Sequence, residues 1–176
     1  VGHLYPKCNG ETIIAWIWAR SVKCPNPACG IQLPLTRSFD LSKKKGKRVW
    51  IEPYKDSQER KILYKIVHSS SGTGPRGSVS RSGAICLACE TPVSLNYIRD
   101  EGQMGKMKAQ LMAIATDGAN GRSYYAPTLE QETISSVPIP EDAPEAELPM
   151  KALGFRVQLY GMTKYQNLFT NRQVTT

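Results

Sequence analysis

Four of the chain's five cysteines form two close pairs, Cys24-Pro-Asn-Pro-Ala-Cys29 and Cys86-Leu-Ala-Cys89. Zn2+ takes four soft thiolate ligands at tetrahedral corners about 2.3 Å away, and two short loops that each present two sulfurs meet that demand. Cys24, Cys29, Cys86 and Cys89 are therefore predicted to hold one structural Zn2+. Gly30 follows the first pair at a place where a positive φ turns backbone amides toward sulfur. Glu90 stands at the matching place after the second pair, so that glycine is not repeated. Pro25 and Pro27 stiffen the first loop and reduce the entropy lost on closing it. The 56 residues between Cys29 and Cys86 outrun the compact spacing of about 15–20. A threefold longer loop adds only about 1 kcal/mol of closure entropy, against roughly 10–16 kcal/mol for structural zinc.

Three other uses of these thiols compete with zinc. Disulfides are one, but the odd cysteine count and the absence of an export signal point to a reducing cytoplasm. A redox pair at Cys86 and Cys89 would need a helix N-terminus in a βαβ setting, and the flanks read as strands. Buried thiols without a ligand are the third. Cys8 is left over as a free thiol, and His3 and His68 have no partner at metal-binding spacing.

The charge is unevenly spread. The 176 residues carry a net charge of +8, and residues 20–66 alone hold 12 basic and 4 acidic side chains. The field centres on Lys43, Lys44, Lys45, Lys47 and Arg48, and such a field draws polyanions, which makes DNA the expected partner. Arg81 and Arg99 are candidate additions to the phosphate contacts, and Trp50, beside the cations, could stack on an unpaired base or simply pack. The plain alternative is a solvated basic loop. Trp16 and Trp18, among Ile13, Ile14 and Ile17, read as core or interface.

Other chemistry is excluded or weak. No apolar run approaches the roughly 20 residues of a membrane span, so no membrane partner is expected. There is no His-Glu-x-x-His, no phosphate loop ending in Gly-Lys-Ser/Thr and no histidine beside a nucleophile, so no catalytic residue is assigned. Gly72-Thr-Gly-Pro-Arg-Gly77 fits the dinucleotide pattern, but the serines after it lack helical periodicity, and it reads as a flexible loop.

The positioning elements read as strands over 12–20, where a short helix is the alternative, and over 33–39, 48–52, 61–67 and 92–98, with turns near Gly46 and 56–59. A helical turn or two is predicted within 100–111, then strand, turn and strand over 111–126. Residues 137–149, with four prolines and four acidic groups, read as a stiff connector, and Thr163 and Thr170 as caps of short helices. The predicted fold is mainly β with short helices: a zinc ribbon with an elaborated hairpin insertion between its two cysteine knuckles.

Several stretches together resemble the zinc-ribbon insertion of large adenine-specific DNA methyltransferases of prokaryotes. They are Gly2-His-Leu-Tyr-Pro6, Thr12-Ile-Ile-Ala-Trp-Ile-Trp-Ala-Arg-Ser-Val-Lys-Cys-Pro-Asn-Pro-Ala-Cys-Gly30, Leu41-Ser-Lys-Lys-Lys-Gly46 and Gly83-Ala-Ile-Cys-Leu-Ala-Cys89. Tyr97-Ile-Arg-Asp-Glu-Gly102, Gln110-Leu-Met-Ala-Ile114 and Gly154-Phe-Arg-Val-Gln-Leu-Tyr-Gly-Met-Thr163 extend the likeness over nearly the whole chain. The resemblance implies a longer parent that transfers methyl from S-adenosylmethionine to adenine in DNA. Its Asp/Asn-Pro-Pro-Tyr loop and glycine-rich cofactor motif have no counterpart here, so only the four zinc cysteines carry over. The organisation expected is a lead-in strand from an upstream domain (1–22), a four-cysteine zinc ribbon with a basic insertion (23–99), an accessory hairpin (100–136), a Pro/acidic linker (137–149) and a connector to a downstream segment (150–176). The expected function is a zinc-binding, DNA-contacting module partnered by the remaining domains of that methyltransferase. A structural or protein-docking ribbon without nucleic-acid contact is the alternative.

Overall fold

The run Glu11–Lys23, rich in β-branched and aromatic residues, forms a 13-residue strand that organises the molecule. The computed structural model describes residues 5–56, 58, 60–119, 121–149 and 156–175; His3 lies outside them. Strand β1 (Lys7–Cys8) turns back onto β2 (Glu11–Lys23), whose far end pairs antiparallel with β3 (Gln32–Leu35). Along most of its length β2 also pairs with β9 (Lys108–Gly118), which pairs in turn with β10 (Gly121–Tyr125). Residues 111–116 of β9 are all buried, as befits a central strand covered on both faces.

Two bulges decide which side chains face which layer. Ile14 is an extra residue on β2, between the Ile13↔Thr116 and Ala15↔Ala115 pairs, and Met112 is the extra residue on β9. The first bulge brings Ile13 onto the face of Trp16 and Trp18, where it meets Leu111 and Ile114. Ile17, Ala19, Met112 and Ala113 line the opposite face. Against that face lies the three-stranded meander β4 (Asp40–Lys44), β5 (Lys47–Asp56) and β6 (Lys61–Ser69), whose Ile51, Ile62 and Tyr64, with Phe39 just before β4, join the same core.

The hairpin of β7 (Gly83–Ile85) and β8 (Pro92–Ser94), with α1 (Leu95–Gln103), completes the layer around the cysteine loops. Ala84, Val93 and Ile98 pack on Val22 and Leu33 of the β2–β3 hairpin. Beyond β10, α2 (Leu129–Ser135) and α3 (Asn171–Thr175) follow. Among the described residues no helix is long and apolar enough to cross a membrane.

Several boundaries differ from the sequence expectation. The strand expected over 92–98 stops at Ser94, because its hydroxyl accepts the Tyr97 N–H at 3.1 Å and starts a helix instead. The strand expected over 33–39 ends at Leu35, and Phe39 turns into the core at 1% exposure. Helix α2 was not foreseen; Thr128 caps it by accepting the Gln131 N–H. Thr170 does cap α3 through Gln173 N–H, but the 3-10 turn Tyr165–Leu168 begins after Lys164, not Thr163. The 100–136 segment expected as an accessory hairpin supplies β9, the central strand beside β2. Residues of the 137–149 connector are pinned, with Leu148 N–H donating to Thr163 O at 2.7 Å and the Leu148 side chain 6% exposed.

The loop at 69–77 is tied down rather than free. Gly74 N–H donates to Asp40 Oδ1 at 3.1 Å, Arg76 bridges to Ser38, and the Ser78 hydroxyl donates to Pro34 O. A Cβ on Gly74 would meet Trp50 at 2.7 Å, and one on Gly77 would meet the Arg37 backbone at 2.2 Å. The spacing of these glycines thus serves close packing between segments, and no helix follows them.

Candidate metal centre

Each cysteine pair sits at the tip of an antiparallel hairpin. Above the last β2–β3 pair, Lys23↔Gln32, Cys24 N–H donates to Ile31 O at 2.8 Å. Above the last β7–β8 pair, Ile85↔Pro92, Cys86 N–H donates to Thr91 O at 3.0 Å. Both loops turn back in the same way. Cys29 N–H and Gly30 N–H donate to Asn26 O, and Glu90 N–H donates to Cys86 O. Gly30 has φ +57° and Glu90 φ +59°. The left-handed position therefore recurs in the second loop although its residue is not glycine, correcting the expectation that only the first loop has the feature.

The two tips bring the four sulfurs together, all within 4.8 Å of one another. Cys24 and Cys89 Sγ are 3.7 Å apart, and Cys29 and Cys86 Sγ 3.9 Å. A tetrahedron with metal–sulfur bonds of about 2.3 Å has edges of about 3.8 Å, so these two distances fit a four-thiolate site. Cys24 and Cys86 are buried and form part of the main core; Cys29 and Cys89 are half-buried at its rim.

The electrostatics divide along the same line. Burial pushes the Cys24 thiol up to about 12 and raises that of Cys86, although amides of Asn26, and of Ala88 and Cys89, turn toward the respective sulfurs. Cys89 is drawn down to about 6, first by the Thr91 hydroxyl 3.2 Å from its sulfur and then by the Thr91 amide. Buried thiols that resist ionisation become thiolates when a cation sits among them, and a cation is what four converging sulfurs provide for. An ion held by all four sulfurs would have every tetrahedral position filled by protein and no open position for substrate or water, the arrangement of structural zinc sites.

A supporting shell holds the loops. Arg60, at φ +52° in the β5–β6 turn, donates from Nη2 to Ala28 O at 2.7 Å and Cys29 O at 2.9 Å. Asn26 Oδ1 accepts the Ala28 N–H at 3.0 Å, and Tyr97 of α1 donates to Lys23 O at 2.9 Å. Sequence reasoning missed these residues. Asn26 between two prolines carries a local turn signal, but Arg60 lies 31 positions from Cys29 and nothing in its surroundings marks it.

Cys8 belongs to the cluster on the far face of the large sheet, with Ile13, Leu111 and Ile114. Burial raises its pKa, with Glu11 and Glu130 adding to the effect.

The cationic candidates divide. Lys43, Lys44, Lys45, Lys47 and Arg48 all belong to the β4–β5 hairpin end, exposed except for half-buried Arg48. Trp50 is half-buried, with Gly72 and Gly74 against its side chain. Arg81 lies in the exposed turn before β7. Arg99 lies on α1, with its Nε buried and its Nη1 donating to Asn96 Oδ1 at 3.4 Å.

Compared with known proteins, the chain matches no family model, no curated protein and no solved structure. Its function is read from the cysteine cluster and the surfaces around it.

Proposed function

We propose that this chain is a zinc-ribbon module that locks two hairpins through one Zn2+ and carries a cationic arm for nucleic-acid phosphate. The observation that carries the reading is the set of sulfur spacings, 3.7 and 3.9 Å, at the edge length of a tetrahedral zinc site. Cys24, Cys29, Cys86 and Cys89 would hold the ion. The insertion between the pairs packs on the same core as Cys24 and Cys86 and ends in the Lys43, Lys44, Lys45, Lys47 and Arg48 hairpin, which supports a DNA-contacting role for the arm. Within the longer protein implied by the resemblance, an adenine-specific DNA methyltransferase, methyl transfer from S-adenosylmethionine belongs to other domains. A docking role through the tryptophans has less support. Trp16 is engaged within the chain, stacked on Tyr5 at 4.9 Å and donating to Gln131 at 3.3 Å, and Trp18 packs in the same cluster.

The test is zinc removal. Protein purified without added metal is expected to carry one zinc per chain; stripping it with a chelator should abolish the cooperative melt and the binding of DNA at low salt. Retention of the melt after complete metal loss would refute the locking role.

A further inference from the structure

The basic hairpin is one wall of a groove, and the opposite wall comes from elsewhere in the chain. Between the β4–β5 end and the β9–β10 turn lies an open depression of about 780 Å3. Lys44, Lys47 and Arg48 line one side; His68, at the end of β6, and Arg122, at the start of β10, are brought to it by the fold. Its floor includes Val49 and Tyr124, whose hydroxyl is held by Leu41 O at 3.4 Å. Asp117 is the one acidic residue in the lining, placed opposite Arg122 in the β9–β10 ladder. Among the described residues, Lys44, Lys47, Arg48 and Arg122 form no ion pair within 4 Å, so four cations face one carboxylate, Asp117, in the lining.

The alternation of the strand sorts the lysine run. Ser42 and Lys44 line the groove, while Lys43 does not and instead pairs with Asp40 at 3.4 Å. Arg81, Arg99 and Trp50 are also absent from the lining. The groove thus combines cations on both sides with a Tyr whose polar end is already engaged. That favours a charged backbone over splayed bases, which need open aromatic faces.

We infer that this groove binds the phosphodiester backbone of duplex nucleic acid, with Arg122 as the contact on the wall facing the lysine hairpin. The inference rests on the phosphate-binding role proposed above and assigns its surface. It adds Arg122 and His68 to the contacts of the basic hairpin, of which Lys43 and Lys45 lie outside the groove lining.

The test is fluorescence anisotropy of the zinc-loaded full chain with a short labelled DNA duplex and with one strand of it, across a salt series. Arg122→Ala should weaken duplex binding about three- to tenfold and reduce the slope of log affinity against log salt by about 1. Arg122→Lys should restore most of the loss, and Lys43→Ala, outside the groove lining, should weaken binding less than Arg122→Ala does. Arg122→Gln serves as a second variant that removes the charge but keeps a polar, unbranched side chain, with zinc content and melting temperature checked for each protein. If Arg122→Ala and Arg122→Gln bind normally while Lys44→Ala/Lys47→Ala binds weakly, the groove is wrong and the lysine arm stands. If the parent does not bind duplex, or the double lysine variant binds as well as the parent, the phosphate role fails and the groove with it. Tighter binding of the single strand than of the duplex would overturn the choice of occupant.

Discussion

Arg60 closes the first cysteine loop through two carbonyls, at 2.7 and 2.9 Å, and so acts on Cys29 without touching its sulfur. Such outer partners tune metal affinity by about 10- to 100-fold. Arg60→Ala is expected to speed zinc transfer to a chromogenic chelator by a factor in that range, while the zinc content of the untreated protein stays at one per chain; an unchanged transfer rate would remove Arg60 from the site. On the far face of the sheet, the Glu11 carboxylate accepts hydrogen bonds from Thr116 at 2.5 Å, Tyr125 at 3.1 Å and Ser123 at 3.3 Å. These bonds, Thr116 first, hold its pKa below the ordinary carboxylate value. A carboxyl lowered by folding stabilises the native state above its unfolded-state pKa of about 4.3, and that contribution is lost as pH falls through the lower folded value. Glu11→Gln should therefore melt at a lower temperature than the parent at neutral pH, with the gap closing below about pH 4. A gap that stays constant across the titration would show that the charge is not its source.

At the scale of elements, glycine and bulge positions decide how the strands meet. Gly77 lies so close to the Arg37 carbonyl, 2.3 Å from where a Cβ would stand, that any side chain forces the 76–79 segment off the end of β3. Gly77→Ala is expected to destabilise the protein by about 1–3 kcal/mol, measured by denaturant unfolding of the zinc-loaded chain; a loss within error would mean the segment moves aside freely. The glycine pattern of 72–77 was visible in the sequence, but its reason was not, because the atoms it accommodates belong to Trp50 and Arg37. The strand character of 12–20 and 61–67 was legible from β-branched and aromatic content, since local preference and burial agree there. The bulges at Ile14 and Met112 were not, because nothing local distinguishes an extra residue from an ordinary strand position. The cysteine pairs were the most legible feature, since the chemistry of four soft ligands constrains spacing within each loop. The charge run was legible as a run, but only the pairing of β4 with β5 separates Lys44 from Lys43, and only the β9–β10 turn brings in Arg122.

Taken as a whole, the molecule joins sequence-distant parts at two levels. The large sheet pairs β2 with β9, and across one of its faces the meander and the two cysteine hairpins share a single core containing Cys24 and Cys86. A metal at the tips would close the loop between the knuckles, and the same sulfurs that would bind it complete the packing. Replacing buried Cys86 by Ser would therefore remove a ligand and a core group together, and Cys86→Ser is expected to yield zinc-free protein without a cooperative melt. The central claim is that four thiolates meet on one ion, and X-ray absorption at the zinc edge on stoichiometrically loaded protein tests it most directly. The expected result is one zinc per chain with four sulfur neighbours at about 2.3 Å; a shell containing nitrogen or oxygen ligands, or protein that binds no zinc while keeping its fold, would contradict it.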